Sequence, residues 1–301
     1  MFKLCIYGLL LSLLISIKVD GQTAAELEIA FKEDSPLKLK TFLDRWANEL
    51  TPLKVKQRNK LSAIKQPAYA VFEALYNPHD LASRGSTQWG NDIYKDVNYF
   101  IIQDDFKIYK KKKVFYTEEE ARDFTIDNVL KNVSSKYHEK WISSIKSGDK
   151  YWVNRYGPNV YTVWDDSLKV LVDSITNFRP NITETQAVPL YLNSKYNNLL
   201  ENFLGDNHIP FATGGIMNVA RAEGSSADRQ RFLSKYLKII FGHWGDHWDL
   251  LTGPTISAMV FDEDMKYVKV YYSMIYEGGE AFLQYHDNKW KLLSMKRTWR
   301  E

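Results

Sequence analysis

The densest run of metal-capable side chains in this 301-residue sequence is Phe241-Gly242-His243-Trp244-Gly245-Asp246-His247-Trp248-Asp249. His243, Asp246, His247 and Asp249 offer imidazole and carboxylate donors, the types that hold zinc or a similar divalent cation. Two histidines four apart share a face on a helix, but Gly242 and Gly245 oppose a helix here, and the His-Glu-x-x-His pattern of zinc proteases is absent. The competing reading is a loop whose Trp244 and Trp248 close one end of the core while His and Asp make ordinary hydrogen bonds. Glu277 and Glu280, on either side of Gly278-Gly279, are a second candidate pair. They offer an acid and a base or, as carboxylates of a hairpin turn, simply face water.

Other chemistries lack their parts. No Gly-x-Ser-x-Gly elbow, Walker-type loop or dinucleotide-binding glycine turn occurs, and Thr213-Gly214-Gly215 reads as a plain turn. The only cysteine, Cys5, lies in an apolar run from Leu4 to Ile17 that follows the basic start Met1-Phe2-Lys3. That run has the build of a secretory signal peptide, with cleavage expected near Gly21/Gln22, and it is shorter than the ~20 apolar residues of a membrane span. The expectation is a bacterial secreted or periplasmic protein whose mature chain has no thiol, no disulfide and no transmembrane span. A formal charge of +3, from 40 basic and 37 acidic side chains, argues against a nucleic-acid partner. The basic run Lys110–Lys113 reads as an edge strand protected by lysines, or as an anionic-lipid or polyanion contact.

The elements that must position these residues announce themselves by caps and spacing. Ser35-Pro36 opens a helix with Leu39, Phe42, Leu43, Trp46, Ala47 and Leu50 on one face. Pro67 opens a shorter one, stopped by Asn77-Pro78, and Thr117–Glu120 forms a capping box for a helix reaching Leu130. Further helices are expected around Tyr137–Ile145, from Ser194 to Leu204, and from Ser225 or Ser226 through Ile240 to Gly242.

Strands are expected in hairpins: 97–102 with 106–109, and 160–164 with 168–175. The last fifty residues alternate as four strands, 255–261, 267–276, 281–285 and 290–299, whose breaks are too short for helical crossovers. Helices packed on antiparallel, hairpin-connected sheets, ending in a four-strand meander, make an α+β protein. A weak boundary near 177–188 divides the mature chain into 22–180 and 181–301, with one interlocked domain as the alternative.

The final helix, the meander, and Asp287-Asn288-Lys289-Trp290-Lys291-Leu292 before the last strand resemble the closing half of the nuclear transport factor two-like (SnoaL-like) fold. The resemblance covers residues 225–301 and implies a curved sheet wrapped on helices, often around a pocket; no functional residue of that family carries over by motif. Aromatics, at 14% of the chain, supply stacking surfaces. The leading expectation is a non-enzymatic, cofactor-free module that binds a small molecule, glycan or envelope protein through Trp244, Trp248, Glu277 and Glu280. The alternative is a metal-assisted hydrolase centred on His243 to His247, with a divalent cation as its cofactor.

Overall fold

The computed structural model describes residues 24–84, 86, 93–111, 126–127, 130–131, 134–147, 169–183, 185–204, 226–241 and 248–300. After helical residues 24–32, α1 (Pro36–Glu49) begins as its sequence requires: Ser35 Oγ accepts from the Lys38 amide and Pro36 fills the first helical position. Leu39, Phe42, Leu43 and Trp46 form its buried stripe. A short turn, α2 (Val55–Arg58), leads to α3 (Lys65–Leu75), which buries Ala68, Tyr69, Val71, Phe72 and Leu75. Strands β1 (Tyr99–Ile102) and β2 (Phe106–Lys111) follow, then α4 (His138–Lys146), β3 (Val170–Ile175) and β4 (Val188–Tyr191). Helices α5 (Ser194–Leu204) and α6 (Ser226–Leu233) precede the two-residue strands β5 (Ile240–Phe241) and β6 (Trp248–Asp249). The chain closes with β7 (Thr255–Asp262), β8 (Tyr267–Met274), β9 (Glu277–His286) and β10 (Lys289–Arg300).

The fold is α+β, and β7 to β10 form the antiparallel meander expected from their alternation. They belong to a six-stranded sheet in the order β10-β9-β8-β7-β2-β3, in which β2 runs parallel to β7 and antiparallel to β3. One face carries Val268, Val270, Tyr272 and Met274 of β8 into a core completed by α3, β1 and Trp290. A second core gathers α1, α5, α6 and the remaining face of β1 and β4. There Trp46 stacks on Tyr196, with centroids 4.3 Å apart, and its indole N–H donates to the Tyr191 carbonyl at 2.9 Å. Both cores draw residues from each side of position 180. No helix among the described residues is long and apolar enough to cross a membrane.

Several expectations are corrected. β1 and β2 do not form a hairpin: β1 pairs in parallel with β4, while β2 joins the large sheet. Gln103 between them explains the divergence. Its amide nitrogen donates to the Asp105 and Ile256 carbonyls and its oxygen accepts the Ile256 amide, so the chain is tied across to β7 instead of turning back. β2 is therefore an inner strand, and its lysines guard no edge; Lys111 is buried in register with Asp262. The helix from Ser226 stops at Leu233, and Ile240 is in a strand. The spacing of Tyr137, Trp141, Ile142 and Ile145 puts Trp141 on an apolar helix face, but it is 41% exposed. Gly278 and Gly279 lie inside β9, not in a turn, because the chain reverses at Ile275-Tyr276, where Ile275 takes a positive φ of 57°. The expected capping box at Thr117–Glu120, the strand at 160–164 and the leader 1–21 lie outside the described residues.

Candidate ligand-binding cleft

The β5–β6 ladder pairs Ile240 with Asp249 and Phe241 with Trp248, so it draws together the two ends of the segment richest in metal-type donors. His243, Trp244, Asp246 and His247 lie outside the described residues, as does the side chain of Trp248. Asp249 is exposed, and its Oδ1 accepts the Leu251 amide at 2.8 Å. Among the described residues no group of three or more His, Cys, Asp or Glu side chains is arranged to hold a metal.

Glu277 and Glu280 are three apart on a strand of period two, so they project from opposite faces and do not act on one point. Neither is the solvated hairpin carboxylate that sequence suggests. Glu277 is fully buried beside Met274 and accepts from Ser86 Oγ at 3.0 Å and from Arg297 Nη1 at 2.8 Å. Next to it the Tyr272 hydroxyl is buried without a hydrogen-bond partner among the described residues. Burial, and then the neighbouring Glu277 charge, push the Tyr272 phenol well above the ordinary tyrosine range. Glu280, on the far face, pairs at 2.7 Å with Lys269, whose side chain is 1% exposed and lies over the Tyr271 and Phe282 rings. These are structural ion pairs set into the sheet, with hydrogen bonds supporting the buried charges.

The concave feature that sequence reasoning missed lies between α3 and the ends of two hairpins. It is a cleft of about 980 Å³. One wall is the stripe Ala63, Pro67, Ala70 and Ala74, small side chains recurring at three and four residues around α3. The floor is Trp290, which is 8% exposed and packs against Phe261 and Tyr285 at centroid distances of 5.7 and 5.4 Å. Tyr285 stands at the mouth, 44% exposed. Both hairpin ends are shaped by local chemistry. Asp262 Oδ1 accepts the Lys266 and Tyr267 amides, which folds the β7–β8 turn so that Lys266 faces the cleft. Burial raises the Asp262 carboxyl pKa, and those two amides partly offset the rise. The Tyr285 amide then donates to the Lys266 carbonyl at 2.8 Å, joining that turn to β9. Asp287 and Asn288 both take positive φ, 51° and 60°, the geometry of a tight two-residue hairpin, and they set Asn288 and Lys289 on the rim.

The alanine stripe was the available sequence signal, since α3 places these small residues beside the Val71, Phe72 and Leu75 that build the core. A second, more polar groove of about 700 Å³ runs along the N-terminal ends of β1 and β4, past Lys40, Asp44, His79, Lys95, Asp96 and Tyr99. Its centre is closed on itself, because Asp44 takes both the Lys40 ammonium at 2.7 Å and the Tyr99 hydroxyl at 2.6 Å. Comparison of the chain with protein-family models, curated proteins and solved structures finds no match in any of the three.

Proposed function

We propose that the protein is a non-enzymatic binding module, exported after removal of residues 1–21, that seats a small ligand in the cleft between α3 and the β9–β10 hairpin. The observation that carries this reading is the aromatic floor. Trp290 is a large apolar side chain held at the bottom of an open cleft, walled by alanines and rimmed by polar groups. Binding sites commonly combine this shape, an apolar lining and a few placed polar groups. The charged residues closest to catalytic form, Glu277, Arg297, Lys269 and Glu280, are committed to one another inside the sheet, which supports binding over catalysis. The resemblance of residues 225–301 to the nuclear transport factor two-like fold belongs to the same reading, because such sheets wrap helices and often bound a pocket.

The test uses the alanine methyl groups of the cleft as reporters. The full mature chain, methyl-labelled at alanine, is titrated with a set of small aromatic acids, saccharides and short-chain lipids. Binding in the cleft moves the Ala63, Ala70 and Ala74 signals together and leaves Ala30, in the other core, in place. Ala70→Trp should fill the cleft and abolish the shifts. Compounds that bind while leaving all three methyls unmoved would overturn the reading, as would a complete absence of binding across the set.

A further inference from the structure

We propose that the occupant of this cleft is a saccharide ring bearing a carboxylate, a uronic-acid type of ligand. The inference rests on the binding reading above and narrows it. The two aromatic rings decide the shape of what fits. Trp290 and Tyr285 are inclined at 51° with centroids 5.4 Å apart. They therefore form a corner, not a pair of parallel faces, and cannot sandwich a flat base between them. A puckered ring suits the corner, because its C–H face packs on Tyr285 while its edge meets Trp290.

The rim decides the charge. Lys266 and Lys289 both border the cleft, and neither ammonium group has an ion-pair or hydrogen-bond partner among the described residues. Two carboxylates border it as well, but Glu73 is already engaged. It takes both Arg58 nitrogens, at 2.9 and 3.0 Å, and the Asn181 amide at 2.7 Å. Asp264 and the Asn288 amide remain to exchange hydrogen bonds with hydroxyl groups. An excess of free ammonium over free carboxylate, beside hydroxyl-seeking groups and an exposed tyrosine ring, matches a polyhydroxylated ring with one anionic substituent. A wholly apolar ligand would leave these polar groups unanswered, and a polyanion would meet Asp264.

The experiment titrates the mature protein with an acidic trimer of two glucose units and one terminal glucuronic acid, which carries a single carboxylate, and, separately, with a neutral glucose trimer, following the Ala63, Ala70 and Ala74 methyl signals. The acidic trimer should bind at least tenfold tighter than the neutral one, and added salt should reduce that preference. Tyr285→Ala should weaken the acidic trimer about tenfold, with unmoved Ala30 and other core methyl signals showing that the fold is kept. Lys266→Gln combined with Lys289→Gln should remove the preference for the acidic trimer and leave the weaker neutral binding unchanged. Equal affinity for both trimers overturns the charge argument, and acidic-trimer binding indifferent to Tyr285→Ala overturns the stacking argument. If neither trimer moves the methyls while an aromatic acid or lipid does, the saccharide inference falls and the binding reading stands. If nothing moves them, both fall.

Discussion

Replacing Gly279 by alanine tests how tightly β9 and β10 are set together. A Cβ at that position would stand 2.0 Å from the Lys296 carbonyl oxygen, 2.8 Å from the Tyr272 hydroxyl and 2.9 Å from Arg297 Cα. A comfortable carbon–oxygen contact is ~3.3 Å, so β10 would have to retreat by roughly 1.3 Å at this point. The obstacles at Lys296 and Arg297 are backbone, and β10 is paired along its length with β9. Overpacking of this kind costs ~1–3 kcal/mol, and each ladder hydrogen bond weakened adds ~0.5–1.5 kcal/mol. A loss of about 3 kcal/mol is expected, which at a urea dependence of about 3 kcal/mol/M moves the midpoint down by about 1 M. Gly278→Ala is the contrast. The three atoms nearest its Cβ all belong to the Trp299 indole, the closest at 2.2 Å, and that ring is 45% exposed, so it can swing outward. The expected cost is below about 1 kcal/mol, falling to nothing in a Trp299→Ala background. A Gly279→Ala midpoint within about 0.2 M of the wild type, or a larger fall for Gly278→Ala, would refute the reasoning.

Other perturbations follow from the same sheet and from the polar groove. Tyr272→Phe removes a buried hydroxyl that has no partner among the described residues, and the denaturation midpoint should rise by the equivalent of about 1 kcal/mol; a fall would mean the hydroxyl is satisfied in solution. Arg297→Ala takes a hydrogen-bonding cation from a fully buried carboxylate and should cost about 3 kcal/mol, most of it recovered by adding Glu277→Gln; no recovery would separate the loss from the charge. Lys40, and after it the Tyr99 hydroxyl, hold the Asp44 carboxyl below its ordinary value of 3.8. A lowered folded-state pKa stabilises fully above the unfolded value and is lost as pH falls through the folded one. The wild type should therefore be more stable than Asp44→Asn at about pH 6 and lose that advantage progressively as pH falls below 3.8, and a constant difference by thermal melts would contradict the assignment.

The helices and the closing meander were legible because each rests on local chemistry: the Ser35-Pro36 cap, the stripe through Trp46, the alternation of Val268, Val270, Tyr272 and Met274. What failed to show in the sequence depends on distant partners. Nothing near Gln103 reveals that its amide will clamp Ile256 and send β1 and β2 to different sheets. Glu277-Gly278-Gly279 has the composition of a turn, and only the approach of β10, with Trp299 over one glycine and Lys296 over the next, explains glycines inside a strand. Glu277 looks solvated until Ser86 and Arg297 arrive from positions far along the chain. The cleft was hidden for a related reason. Its wall, floor and rim come from α3, β9–β10 and the β7–β8 turn, and no one of these segments carries a motif.

The four residues of β1 set the timing of folding. Phe100 and Ile102 enter the core beneath the large sheet, while Tyr99 and Ile101 enter the core of the helices. The strand's neighbours arrive late: Val188–Tyr191 pair with it, and Thr252 bonds to both the amide and the carbonyl of Ile101. A chain emerging from the ribosome therefore cannot complete either core until residue 252 is available, since Thr252 supplies the partners for both backbone groups of Ile101. Contacts of such long range make folding slow, and they leave Phe100, Ile101 and Ile102 uncovered through most of synthesis. Such a chain stays open to whatever binds extended polypeptide until its last sixth has been made.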